Sequence, residues 1–183
     1  MKLKFLGTLL CCLSFMTGCD KSKSTESGNY SLTKEILLQQ LKTTHSKKEW
    51  YVPVNDALEG LTSEQAMWRD SSGNHSIGQL AYHLYFWNAR QLAKLKGHPE
   101  EVFSGNNEET FTTFNQVDWE KTVKQVDRVL IEMEKIISEA SEEKLEGWYP
   151  TLANISTHNG YHTGQIIYIR KMKGWWDPEK GVK

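Results

Sequence analysis

Residues 151 to 174 read TLANISTHNGYHTGQIIYIRKMKG, and their spacing is that of one long helix. Leu152, Ile155, Tyr161, Ile166, Ile169 and Met172 recur close to the 3.6-residue period of an α-helix with one apolar side. Arg170, Lys171 and Lys173 fill the last turn, where cations offset the negative end of the helix dipole, and Gly174 is placed to end it. His158 and His162 stand four residues apart, so both imidazoles lie on one face, a turn from each other. Ile155, Gln165, Ile166 and Ile169 share that face, which points the pair toward the core. Two imidazoles aimed inward need polar partners, and a divalent cation satisfies both.

Outward from this stretch, the rest of the chain repeats the helical pattern. Ser31 is placed to cap a helix from Leu32, with Ile36, Leu37, Gln40 and Leu41 as its buried stripe. The pattern continues through Trp50 and Tyr51 to Leu58, with a kink or break expected before Pro53 and an end at Gly60. Thr62-Ser63-Glu64-Gln65 has the form of a capping box on a short turn, and Arg69 to His75 reads as a loop. A second long helix, SIGQLAYHLYFWNARQLAKLKG, starts at Asn74 or Ser76 and runs to Gly97, with His83 in the middle of its apolar side. Its Trp and Phe residues near His83 read as core.

His98 to Val117 is a connection of about twenty residues holding Phe103, Phe111 and Phe114. A connection of that length is usually functional, and the phenylalanines suggest a lid or a crossover. Asp118 opens a third helix whose stripe is Trp119, Val123, Val126, Leu130, Met133, Ile136 and Ile137. Ser141 to Pro150 reads as a second crossover. Four main helices without a strand run or internal repeat make the expected class all-α, a four-helix bundle with long crossover connections.

The front end follows another logic. Lys2 and Lys4 precede an apolar run from Phe5 to Met16, too short to span a bilayer comfortably, and then Met16-Thr17-Gly18-Cys19. This is a secretory layout that also resembles a bacterial lipobox, in which the cysteine is lipidated and becomes the N-terminus. The expected organisation is a lipoprotein signal peptide over 1–18, a flexible tether over 19–30, the bundle over 31–176 and an irregular tail over 177–183. The three cysteines, Cys11, Cys12 and Cys19, all lie at the front, which excludes a cysteine nucleophile or thiolate zinc site from the folded part. A net charge of −1 gives no basic field for nucleic acid, and 11 % aromatic residues argue against disorder.

The His158/His162 pair has the spacing of a zinc helix motif, but the intervening residues are Asn159-Gly160-Tyr161, with no Glu after the first His, so a protease of that type is not supported. A third ligand must come from elsewhere, and His83 is the best candidate. Three imidazoles with one or more waters suit zinc, nickel or a similar ion. Gln165, one turn past His162, is placed to orient a bound species or to support the ligands from behind. Asn159 and Tyr161 point off the ligand face. His45 and His98, beside Lys47 and Pro99, read as solvated, and His75 reads as a cap-region residue.

Asn74-His75-Ser76-Ile77-Gly78-Gln79-Leu80-Ala81-Tyr82-His83-Leu84 and His158-Asn159-Gly160-Tyr161-His162-Thr163-Gly164-Gln165-Ile166 together resemble the DinB-like family of four-helix-bundle proteins. Leu58 to Trp68 is similar to that family's link between its first two helices, and the likeness extends over roughly Leu32 to Trp176. The resemblance implies a divalent metal held by one histidine of helix two and two of helix four, here His83, His158 and His162. Characterised relatives include transferases and isomerases that use low-molecular-weight thiols, and many others have no known activity.

Two functions follow as expectations. The first is a metal-dependent transferase or hydrolase in the cell envelope, anchored to the membrane through a lipid on Cys19, that activates water or thiol for a small-molecule substrate. The absence of a carboxylate from both histidine motifs weighs against hydrolysis. The second is a non-catalytic metal-binding or stress-associated envelope lipoprotein. Either leaves room for a homodimer, and neither involves nucleic acid.

Overall fold

The apolar stripes close on one another in a ring of four helices. The computed structural model describes residues 24–99, 102–112 and 118–182. The long helices are α1 (Ser24–His45), α4 (Ile77–Leu95), α6 (Trp119–Glu139) and α8 (Tyr149–Met172). Short helices join them: α2 (Val54–Leu58), α3 (Ser63–Met67), α5 (Glu109–Thr112) and α7 (Glu142–Leu145). Helix α4 packs on α6 and α1 on α8, while α1 against α6 and α4 against α8 complete the ring. No strand occurs among the described residues, so the chain is all-α.

Leu41, Ile77, Leu84, Leu130, Met133, Ile137 and Ile166 are fully buried at the centre. Each contributes about 1.5–3 kcal/mol by leaving water. The start of α4 is fixed by Ser76, which accepts from the Gln79 backbone N–H while Gln79 Oε1 accepts from the Ser76 N–H at 2.9 Å. Thr62 and Gln65 form the same reciprocal cap on α3. At the far end of α4, Gly97 takes a φ of +83°, the left-handed conformation that lets the chain leave the helix.

Several expectations need correction. Helix α1 has helical backbone from Ser24, so it does not begin at a Ser31 cap. It also ends at His45, where Lys42 O accepts from both Ser46 and Lys47 N–H. The pattern therefore does not run on to Leu58: the charged stretch Lys47-Lys48-Glu49 offers nothing to bury, and Trp50 is 91 % exposed. Helix α8 begins at Tyr149 with Pro150 in its first turn, where a missing N–H costs nothing. Asp118 stands at the start of α6 without a side-chain cap bond. Tyr161 and Met172, expected in the core stripe of α8, are 63 % and 50 % exposed.

Two charged side chains lie inside. His45, expected in solvent, is buried, with Glu134 Oε1 2.6 Å from Nδ1 and Asp127 Oδ1 3.0 Å from Nε2. The polar neighbours that suggested solvation are not the ones it meets; its carboxylate partners come from α6, and Asn55 of α2 approaches Nε2 at 3.3 Å. Arg170, in the last turn of α8 as expected, is also buried. It donates to the carbonyls of Ala57 at 2.6 Å, Glu59 at 3.0 Å and Trp175 at 3.1 Å. These bonds tie α8 to the end of α2 and to the tail, where Pro178–Lys180 forms a 3-10 turn. His98 is exposed, as expected. Residues 1–18, Cys19 and Phe114 lie outside the described residues.

Candidate metal centre

The inward face of α8 meets the inward face of α4 at three imidazoles. His83 comes from the middle of α4, a turn after Leu80, and is 2 % exposed. His158 and His162 come from one face of α8, with ring centres 4.6 Å apart. The His83 ring lies 5.1 Å from that of His158 and 4.7 Å from that of His162. One nitrogen from each ring falls within 4.8 Å of the other two. The three residues singled out in the sequence are thus brought together.

The hydrogen bonds behind the rings decide which nitrogens face inward. Thr110 Oγ1 donates to Asn107 O at 2.6 Å, so it accepts from His83 Nδ1–H at 2.5 Å. That leaves His83 Nε2 with a lone pair toward the centre. His162 Nδ1–H donates to Gln165 Oε1 at 2.6 Å, which exposes its Nε2 in the same way. Gln165 therefore holds the His162 ring from behind. His83 Nε2 and His158 Nε2 lie 3.1 Å apart.

Protonation is held off the centre. Burial, and then the neighbouring rings, push His83 down to about 3 and His158 down to about 4 from the usual 6.5. Burial lowers His162 as well, against the opposing bond from Gln165. Neutral imidazoles are the form that binds metals.

This donor set fits a divalent ion. A tetrahedral ion with bonds of about 2.0–2.1 Å holds its nitrogen ligands roughly 3.4 Å apart. The three nitrogens lie within 4.8 Å of one another, and His83 Nε2 and His158 Nε2 are 3.1 Å apart, separations that bracket that spacing. Three neutral nitrogens with two tautomers already set, beside an open cavity, form the three-ligand arrangement that leaves a coordination position free.

The cavity against the triad has a volume of about 710 Å³ and is lined also by Trp87, Gln91, Glu108, Phe111 and Tyr161. Trp87, read from the sequence as core, faces this space, because α4 turns its Phe86/Trp87 edge toward Phe103 rather than inward. Tyr161, read as off the ligand face, borders it as well. Asn159 does point away: it is buried on the opposite side, accepting from Asn88 Nδ2 at 2.8 Å.

The sequence named Phe111 within a connection that suggested a lid or a crossover, but gave no sign of Thr110 or of the role of His75. Phe111 is stacked between His83, at 3.9 Å, and His75, at 3.8 Å. Thr110 is 1 % and Phe111 4 % exposed, so α5 covers the triad. The only signal was the length and phenylalanine content of the connection. His75 sits just before the Ser76 cap, as expected, yet it also faces the cavity and approaches Glu108 Oε2 at 3.4 Å.

The sequence signature of the DinB superfamily matches residues 54–166, more than half of the chain. The chain belongs to the DinB superfamily. The match spans α2 through the middle of α8 and so contains all three histidines of this DinB-like bundle. No curated protein matches the chain significantly.

Proposed function

We propose that this DinB-like protein holds a divalent cation, zinc or nickel, on His83, His158 and His162, and uses it to act on a small molecule entering the adjacent cavity as a transferase or hydrolase. The observation that supports the reading is the convergence of three imidazoles, His83 and His162 buried and His158 half-buried, whose backing bonds, from Thr110 and Gln165, leave His83 Nε2 and His162 Nε2 free. A divalent ion at such a site supplies Lewis acidity, which lowers the pKa of water or thiol and polarises a substrate oxygen. Thr110 and Gln165 hold two ligand rings in register. Phe111, stacked on the His83 ring, covers one side of the triad. His75, paired with Glu108, is placed to take or return a proton in the same cavity.

The leader carries the second half of the proposal. Lys2 and Lys4, the apolar run to Met16 and Gly18 before Cys19 support export and lipid attachment at Cys19, which would place the bundle in the cell envelope.

Elemental analysis of protein purified without a histidine tag tests the metal assignment. One equivalent of divalent metal per chain is expected, with loss of most of it in His83→Ala and in His162→Ala. Full metal content in His83→Ala would sink the assignment.

A further inference from the structure

A second cavity of about 500 Å³ adjoins the first, and the two share His75, Tyr161 and Gln165 as a common wall. Its chemistry differs from that of the triad. Tyr161, Gln165, Tyr168 and Met172 are spaced four, three and four residues apart, so they form one stripe along α8. Tyr161, Tyr168 and Met172 are 63, 68 and 50 % exposed, an unusual cluster of large apolar side chains turned outward. Trp68 and Leu80 face the stripe from across the cavity. Trp68 is fixed edge-on against Trp175 at 6.0 Å. The charges near the opening have opposite sign: Asp70 is in the lining and Lys173 Nζ lies 4.5 Å over the Trp68 ring. Neither sign of ligand charge is favoured there. Gly164 leaves part of the wall bare, since a Cβ on it would meet nothing within 4 Å.

A space of this size, its aromatic and aliphatic walls interspersed with the polar side chains of Asp70, Asn74, His75 and Gln165, suits a drug-sized organic molecule. We propose that the two cavities form one composite binding site for an uncharged, aromatic-bodied small molecule, its body between Trp68 and the Tyr161–Met172 stripe and its polar head passing Gln165 and His75 toward the triad. The head's destination rests on the metal reading above; the body's does not. Three side chains that border both cavities argue for a small molecule spanning them rather than a second copy of the chain, which would cover only the exposed stripe.

Two probes separate the readings. In metal-free protein, indole should shift the NMR signals of the Met172 methyl and the Trp68 side chain, and the shifts should vanish in Tyr168→Ala and in Gly164→Leu, whose side chain fills the space. In zinc-loaded protein, phenylalkyl hydroxamic acids of graded linker length should bind at least about tenfold more tightly than acetohydroxamic acid, with an optimum length, by calorimetry. Both variants should remove that gain and leave acetohydroxamic acid binding unchanged. Indole shifts without any hydroxamate binding would uphold the aromatic cavity and overturn the metal reading. Hydroxamates that bind without any gain from the aryl group, indole that leaves both signals unmoved, or a dimer by sedimentation that Tyr168→Ala dissociates, would overturn the composite site.

Discussion

His45 illustrates how a residue's chemistry is set by partners far away in the chain. Burial disfavours a charge on its ring, but the bonds from Glu134 and Asp127 outweigh that cost, so its pKa is raised above 6.5. Both ring nitrogens face carboxylates and both donate, as only the imidazolium can. A raised folded-state pKa gives stability that is fully present below the unfolded value of 6.5 and is lost as pH rises through the folded value. We expect His45→Gln to lose about 2 kcal/mol at pH 6, at the lower end for a buried ionic bond because Asp127 is 42 % exposed and solvent screens it. Urea unfolding across pH 6 to 9 should show the gap to the native chain narrowing upward. A gap independent of pH would rule out the charged ring. His83 and His158 shift the opposite way because their burial meets no carboxylate, only other imidazoles.

At the level of elements, the short α5 has the largest consequence for the site. Four residues cannot sustain a helix alone; α5 is held by Phe111 between two imidazoles and by Thr110 on His83. Thr110→Val keeps the shape and removes the oxygen that fixes the His83 tautomer. Chelator competition should then show metal affinity reduced about tenfold or more, with the helical circular dichroism and unfolding midpoint nearly unchanged. Unchanged affinity would mean that the Thr110 bond does not orient the ligand. The long helices were legible because apolar residues recur at helical spacing in α4, α6 and α8; the Ser76–Gln79 cap that starts α4 was not, and the start stayed open between Asn74 and Ser76. The end of α1 was not legible: the apolar Trp50 and Tyr51 continue the period but stand outside the helix. Periodicity cannot tell a buried aromatic residue from an exposed one.

Across the whole molecule, the bundle and its attachment are separate matters. No helix among the described residues is long and apolar enough to cross a membrane. If Cys19 is the anchor, Cys19→Ser should move the chain from the membrane pellet to the soluble fraction without changing the metal content of the bundle. A Cys19→Ser chain that still sediments with membranes would remove the lipid from the proposal. Within the bundle, the pairing of α4 with α8 makes the site, since it joins a histidine at 83 to two at 158 and 162.

The all-α class, the family and the three clustered histidines were legible in the chain, because each is written in local spacing: a 3.6-residue period, a capping box and a four-residue interval. Helix packing sets the tautomers of His83 and His162, what covers the rings and what lies beside them. Thr110, Phe111, the carboxylates around His45 and the carbonyls around Arg170 are distant along the chain from the groups they govern. Burial and hydrogen bonding between such segments exist only once the helices have packed.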